Sequence, residues 1–237
     1  MIDRDCWRDV TDVFEAGLKR VLLYGPPGTG KTHAGLYTGS RVRAERLVCT
    51  EDLTTAEITG TWMPRGADRW EWIEGPAIRA WRGTDGRGDR LVVDEVDRAS
   101  GDALSTLLAM TDSPESARWR NPETGEWLQP GPEFSVVMTS NVESPEDLPA
   151  ALLDRFPVRI LIDRPHPAAT DRLSPDLRPM ALAGSLGPEG RRVSLRAFYA
   201  FDGLRAKVGE ERAAELLFGT ASGRGLLDAL IVARMGS

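Results

Sequence analysis

The chain has 237 residues, enough for one large domain or for a core domain with a smaller companion. It is 41% hydrophobic and 28% charged, as a folded globular protein should be, and no run approaches the roughly 18 apolar residues of a membrane span. Thirty basic against 36 acidic residues leave a net charge of −6, which argues against indiscriminate binding to nucleic acid or to a membrane surface. The first residues alternate charges where a signal peptide needs an apolar stretch, so a cytoplasmic location is expected. Cys6 and Cys49 are too few for a disulfide framework, and neither they nor His33 and His166 stand at metal-ligand spacing. Lys19, Lys31 and Lys207 are the only lysines, so the other 27 of the 30 basic residues are arginines, a bias read as mostly compositional.

In chain order, Arg20–Tyr24 is a short apolar run that enters a glycine-rich turn, and a helix is expected from Lys31 to about Gly39. Further strand-like runs fall at 46–49, 90–94, 134–139 and 158–162, with helical patterns at about 75–82 and 101–111. Short apolar strands alternating with helices predict a parallel five-stranded sheet covered on both faces, a three-layer α/β/α core. Two tryptophan-bearing segments, about 59–75 and 118–132, break the alternation and read as inserted hairpins. Their indoles are expected to pack back onto the body. Asp163-Arg-Pro-His-Pro167 is a proline-punctuated linker, which divides an α/β core, 1–163, from a small α-helical lid domain, 164–237. Helical patterns in the latter cover about 169–183, 194–206, 209–218 and 224–235.

Gly25-Pro-Pro-Gly-Thr-Gly-Lys31-Thr32 matches G-x-x-x-x-G-K-[ST] in full and lies between a strand and a helix, the context that confirms it. Glycines let successive backbone N–H groups turn around an anion, and the helix N-terminus adds its positive end. Lys31 is expected to reach the β- and γ-phosphates of ATP, and Thr32 to ligate Mg²⁺. The nucleotide-binding stretch comprises Gly25, Pro26, Pro27, Gly28, Thr29, Gly30, Lys31, Thr32 and His33. Leu91-Val-Val-Asp94-Glu95 puts two carboxylates at the end of a buried strand, where open α/β sheets bind ligands. Asp94 would hold Mg²⁺ and Glu95 would polarise the attacking water. The next strand ends in Asn141, a neutral amide able to hold that water without repelling phosphate.

These residues resemble the AAA+ ATPases, in particular the MoxR-like and dynein/midasin-related branch. The likeness covers most of 20–162 and rests on the octamer, Trp72-Ile-Glu-Gly75-Pro76, Asp94-Glu95-Val-Asp-Arg98-Ala99, Thr-Ser-Asn141 and Leu148-Pro-Ala-Ala-Leu-Leu-Asp154-Arg155-Phe156. The resemblance implies that Asn141 is sensor 1 and that Arg155 is an arginine finger reaching the nucleotide of a neighbouring subunit. It implies Arg196, in Val193-Ser-Leu-Arg-Ala-Phe198, as sensor 2, with Arg191 and Arg192 nearby, and Arg98 as an interface residue or a surface ion pair. It further implies a homo-oligomer, a hexameric ring, acting on a protein client, as MoxR-like chaperones do for maturing metalloenzymes or adhesion-domain partners. By the same resemblance, Trp62 or Trp127 could face a pore or its substrate.

Three other readings compete. A nucleic-acid-processing NTPase of the same branch, using GTP, would draw on Arg118-Trp119-Arg120 for stacking and charge, against the net charge and without an Asn-Thr-Ala-Asp motif. A small-molecule P-loop kinase would need no arginine from a neighbour. A nucleotide-gated scaffold would not need Glu95 or Asn141.

Overall fold

The computed structural model describes residues 5–39, 43–66, 68–185 and 193–235. Arg191 and Arg192 lie outside them. The chain divides into two compact units, one of residues 1–25 and 31–161 and the other of 26–30 and 162–237.

The first unit begins with α1 (Cys6–Glu15), capped by the Asp5 carboxylate accepting the Trp7 N–H, with Cys6, Trp7 and Val10 on its buried face. β1 (Arg20–Tyr24) leads through α2 (Lys31–Tyr37) to β2 (Ala44–Val48). Next come α3 (Thr55–Thr59), the antiparallel hairpin β3 (Gly60–Pro64) and β4 (Trp70–Glu74), and α4 (Pro76–Arg82). β5 (Arg90–Asp94) and α5 (Gly101–Met110) precede a two-residue ribbon, β6 (Trp119–Arg120) and β7 (Trp127–Leu128). β8 (Ser135–Thr139), α6 (Ala150–Arg155) and β9 (Val158–Leu161) complete the unit.

The five-stranded sheet runs β2-β5-β8-β1-β9 with every pairing parallel, the architecture the alternating pattern predicts. The strand expected at 46–49 is shifted to Ala44–Val48, and α1, α3 and α6 add helices to those the periodicity marks. β5 is buried along its whole length, as a central parallel strand covered on both faces must be. Leu22, Val92 and Val93 are fully buried, and each such side chain contributes roughly 1.5–3 kcal/mol. Trp81 on α4 is 1% exposed, donates its indole N–H to Met110 O at 3.1 Å and meets Phe134 edge-on at 6.3 Å. Arg90 is a charge inside this core. Its guanidinium lies 4.4 Å from the Phe14 ring centre and donates to Gly35 O and Thr38 O at the end of α2, while burial lowers its pKa to about 10.

The indoles of the two hairpins do not all pack back onto the body. Trp62, Trp72 and Trp119 form a chain with ring centres 5.7 and 5.8 Å apart, but Trp70 and Trp127 are 62% and 67% exposed. Trp70 sits opposite Pro64 beside the hairpin turn, two residues farther out than Trp72, so it lies beyond this stack.

The second unit contains α7 (Pro167–Thr170), α8 (Arg178–Ser185), α9 (Leu195–Val208) and α10 (Glu210–Met235). The single helix expected at 169–183 is two, α7 and α8, with Pro175 in the segment between them. Ser174 is held there by Asp202, which accepts its N–H and hydroxyl at 2.8 Å each. The two helices expected at 209–218 and 224–235 are present as the two halves of α10, separated at Gly219, whose φ of 74° only glycine takes easily. Leu173, Leu177, Phe198, Phe201 and Leu230 form the core. Among the described residues, no helix is long and apolar enough to cross a membrane.

Candidate functional site

The sheet register gathers the sequence-marked residues of the first unit. Leu23 of β1 lies beside Thr139 of β8, and Val93 of β5 beside Met138, so Gly25, Asp94 and Asn141 all emerge at the C-terminal ends of adjacent strands. The octamer's Gly25, Gly28 and Gly30 have φ of 123°, 79° and 109°, a path closed to most residues with a Cβ. Thr29 secures the turn by donating its hydroxyl to Pro26 O at 3.1 Å. Lys31 opens α2 and is only 5% exposed, with its ammonium donating to Gly25 O at 2.7 Å and to Asn141 Oδ1 at 3.1 Å.

Asp94 is the most heavily bonded carboxylate of this cluster. Its Oδ1 accepts from Thr32 Oγ1 at 2.7 Å and Thr139 Oγ1 at 2.5 Å, and its Oδ2 pairs with Arg46 Nη2 at 2.5 Å. Burial acts to raise its pKa, but these three hydrogen bonds outweigh it and hold the carboxyl below its usual range. Cys49 is fully buried nearby; burial, and then the charges of Asp94, Asp97 and Glu95, push its thiol up to about 12. It is therefore no nucleophile. A hydroxyl and a carboxylate in contact are oxygen donors suited to Mg²⁺, which ordinarily completes its shell with phosphate and water. Among the described residues, no group of three or more His, Cys, Asp and Glu could hold a metal alone.

Glu95 follows the strand in a left-handed conformation, φ 57° and ψ 48°, which costs a non-glycine residue roughly 1–2 kcal/mol. Its N–H donates to Thr139 Oγ1 at 3.1 Å, and its carboxylate pairs with Arg98 at 2.9 Å. Arg98 thus sits on Glu95 of its own chain. The Asn141 N–H donates to Asp97 Oδ1 at 3.2 Å, which ties the end of β8 to the turn after β5.

Three marked residues lie outside this hydrogen-bonded cluster. His33 is exposed on α2 with its ring 4.7 Å from that of Tyr37. Arg196 is exposed in the first turn of α9, whose N-cap, Ser194, packs against Gly28 of the glycine turn within the same unit. Arg155 ends α6 just before β9 begins, so it occupies the N-terminal edge of the sheet. The five residues of β1, a span of roughly 15 Å, separate that edge from the glycine turn. Sequence reasoning passed over Arg46, Thr139 and Asp112, which binds Arg155 at 3.0 Å. Thr139 precedes the marked Ser140-Asn141, and Arg46 is a charge inside an apolar strand; both were available signals. Asp112 carries none.

A sequence profile described as "AAA domain (dynein-related subfamily)" matches residues 20–156. A probable spastin homolog from Brugia malayi is 27% identical over 158 residues, which cover 65% of this chain and 31% of that protein. The match thus spans about a third of that relative's length. A solved structure from Cytophaga hutchinsonii, described as an ATPase candidate, superposes with a TM-score of 0.48 at 23% identity, covering 68% of this chain and 46% of the other.

Proposed function

The chain belongs to the dynein-related subfamily of AAA domains, and from that premise we propose that it binds MgATP and hydrolyses it within a ring of identical subunits, a hexamer, that remodels a protein client. The observation that carries the reading is the convergence of Lys31, Asn141, Thr32 and Asp94 through direct hydrogen bonds at the strand ends. Lys31 neutralises charge on the β- and γ-phosphates, in line with its place at the start of α2 behind the glycine turn. Thr32 and Asp94 would hold Mg²⁺, which would supply neutralisation of phosphate charge. Glu95 takes the proton of the attacking water and Asn141 orients it. The ion pair with Arg98 must open for Glu95 to do so.

Arg155 supports the shared-site reading. It stands a strand's length from Lys31, so the triphosphate it serves is that of a neighbouring subunit, where such an arginine is worth about 10³–10⁵ in rate. Residues 164–237 act as the helical lid, with Arg196 contributing to the γ-phosphate of its own chain. Glu95→Gln should still bind ATP but lose about 10²-fold or more in turnover. A Lys31→Ala protein hydrolysing ATP at the wild-type rate would sink the assignment.

A second reading, a nucleic-acid-processing NTPase, draws on one observation. Trp127 is 67% exposed and lies opposite Arg120, a pairing able to stack on a base. The net charge of −6 weighs against it. Turnover stimulated by single-stranded DNA, with steep salt dependence, would favour it.

A further inference from the structure

The Arg155 side chain is not a free tether. Its Nη2 donates to Asp112 Oδ2 at 3.0 Å and its Nη1 to Ala151 O at 2.9 Å, one turn back on α6. Its Nε is buried and has no hydrogen-bond partner among the described residues. Asp112 is fixed in turn. Its Oδ1 accepts the Ser113 N–H at 2.7 Å, and its backbone carbonyl accepts from Arg20 Nη2 at 2.6 Å, at the start of β1. The Ser113 N–H first, and the charges of Arg155 and Arg20 after it, keep the Asp112 carboxyl below its usual range and therefore ionised. The pair borders a cavity of about 380 Å³ on this edge of the sheet, which Lys19, Arg20, Phe134 and Pro157 also line.

We propose that Asp112 is a positioning residue for Arg155, holding the guanidinium oriented so that its unused donors meet the phosphate of the neighbouring subunit. The inference rests on the reading of Arg155 as an arginine supplied between subunits. A guanidinium has five N–H donors; two bond its own chain and the Nε–H is buried, which leaves one on each terminal nitrogen. An exposed ion pair of two long side chains would do little. Here the side chains are 26% and 34% exposed, and both Asp112 oxygens are committed, so the carboxylate is a fixed point. Holding a reactive group in place before the reaction removes the cost of ordering it during the reaction.

The test is steady-state ATP turnover by the purified chain and its variants, with thermal melting to confirm folding. Asp112→Asn keeps an acceptor for Ser113 and removes the charge that holds Arg155. We expect kcat to fall about ten- to hundredfold with KM for ATP within about twofold, since the lost contact acts only on the transferring phosphate. Asp112→Glu, which keeps the charge one methylene farther out, should recover part of the loss. In an Arg155→Ala background Asp112→Asn should change nothing further. Unchanged or raised kcat in folded Asp112→Asn, or an equal loss without Arg155, overturns the proposal. Should Asp112→Asn not fold, Asp112→Glu at full wild-type kcat overturns it as well. The two readings separate cleanly. Full turnover by Arg155→Ala defeats the arginine reading itself, whereas loss in Arg155→Ala with none in Asp112→Asn defeats only the role of Asp112.

Discussion

The sheet unit and the helical unit use buried and half-buried charge differently. In the first, Asp94 sits at a strand end, held by two threonine hydroxyls and Arg46, contacts that the proposed function would exchange for a cation and a phosphate. In the second, Asp176 receives both terminal nitrogens of Arg205, at 2.8 and 2.9 Å, and Arg234 at 2.7 Å. Arg205 also reaches Asp202, and Arg234 reaches Glu210, so Asp176 joins α9 to the C-terminal end of α10 and Glu210 ties that end to the N-terminal one. The apolar cores differ too. The sheet unit buries Trp81, Leu22 and Leu91 completely, while the helical unit leaves Leu216, Ile231 and Val232 of α10 54%, 56% and 70% exposed. In the sheet unit hydrophobic burial supports the fold and charge is available for chemistry; in the helical unit an ionic network supplements a thinner core.

Breaking the chemistry of the sheet unit should give the largest effect. Lys31→Ala should lower ATP turnover by about 10²–10³-fold, measured by phosphate release, with the melting of the sheet unit little changed. Removing its packing comes next. Trp81→Ala should destabilise this unit by about 3–5 kcal/mol in urea unfolding, since the cavity is fully enclosed and Met110 O loses its donor. In the helical unit, Asp176→Asn should cost about 1–2 kcal/mol, the range for a charged hydrogen-bonded group discounted for its partial exposure. Turnover measured well below the melting point should not move in proportion.

Acidification sharpens the comparison through a smaller effect. The Asp176 carboxyl lies well below its usual range because of the Arg205 hydrogen bond, against the opposing effect of burial, and with help from Arg234. A carboxyl depressed in the folded state contributes stability above its unfolded value, about 3.9, and loses it as pH falls through the folded value. Stability of the helical unit should therefore drop below about pH 4 in the wild type and drop less in Asp176→Asn. Asp94→Asn should flatten the acid limb of the sheet unit by a smaller amount, since burial offsets more of its hydrogen bonding. Equal slopes in the two variants would erase the distinction.

Much of this was legible in the sequence, for local reasons. The glycine spacing of 25–32 dictates positive-φ turns, and paired with that octamer an apolar run ending in Asp94-Glu95 reads as a buried strand that ends where the sheet meets its ligand. The parallel five-stranded sheet follows from the alternation, but the order β2-β5-β8-β1-β9, with β8 in the middle, is set by no local pattern. What was not legible depends on register between distant segments. Arg46 meets Asp94 because β2 pairs with β5, and Asp112 meets Arg155 across 43 residues of chain. The indoles were misjudged because burial depends on distance along the ribbon. Trp72 reaches Trp119, whereas Trp70 beside the turn stays exposed. The helix expected at 169–183 ignored Pro175, a break that the sequence does show.

The central claim is that a site is completed by two chains, and it is tested most directly by mixing two inactive proteins. Lys31→Ala lacks the phosphate lysine but keeps Arg155, while Arg155→Ala lacks the arginine but keeps an intact phosphate site. If neighbours share the site, an equimolar mixture should regain a substantial part of wild-type ATP turnover, rising with protein concentration as subunits assemble. A mixture no more active than the sum of its parts, at concentrations where the wild type is assembled and turning over, would contradict it.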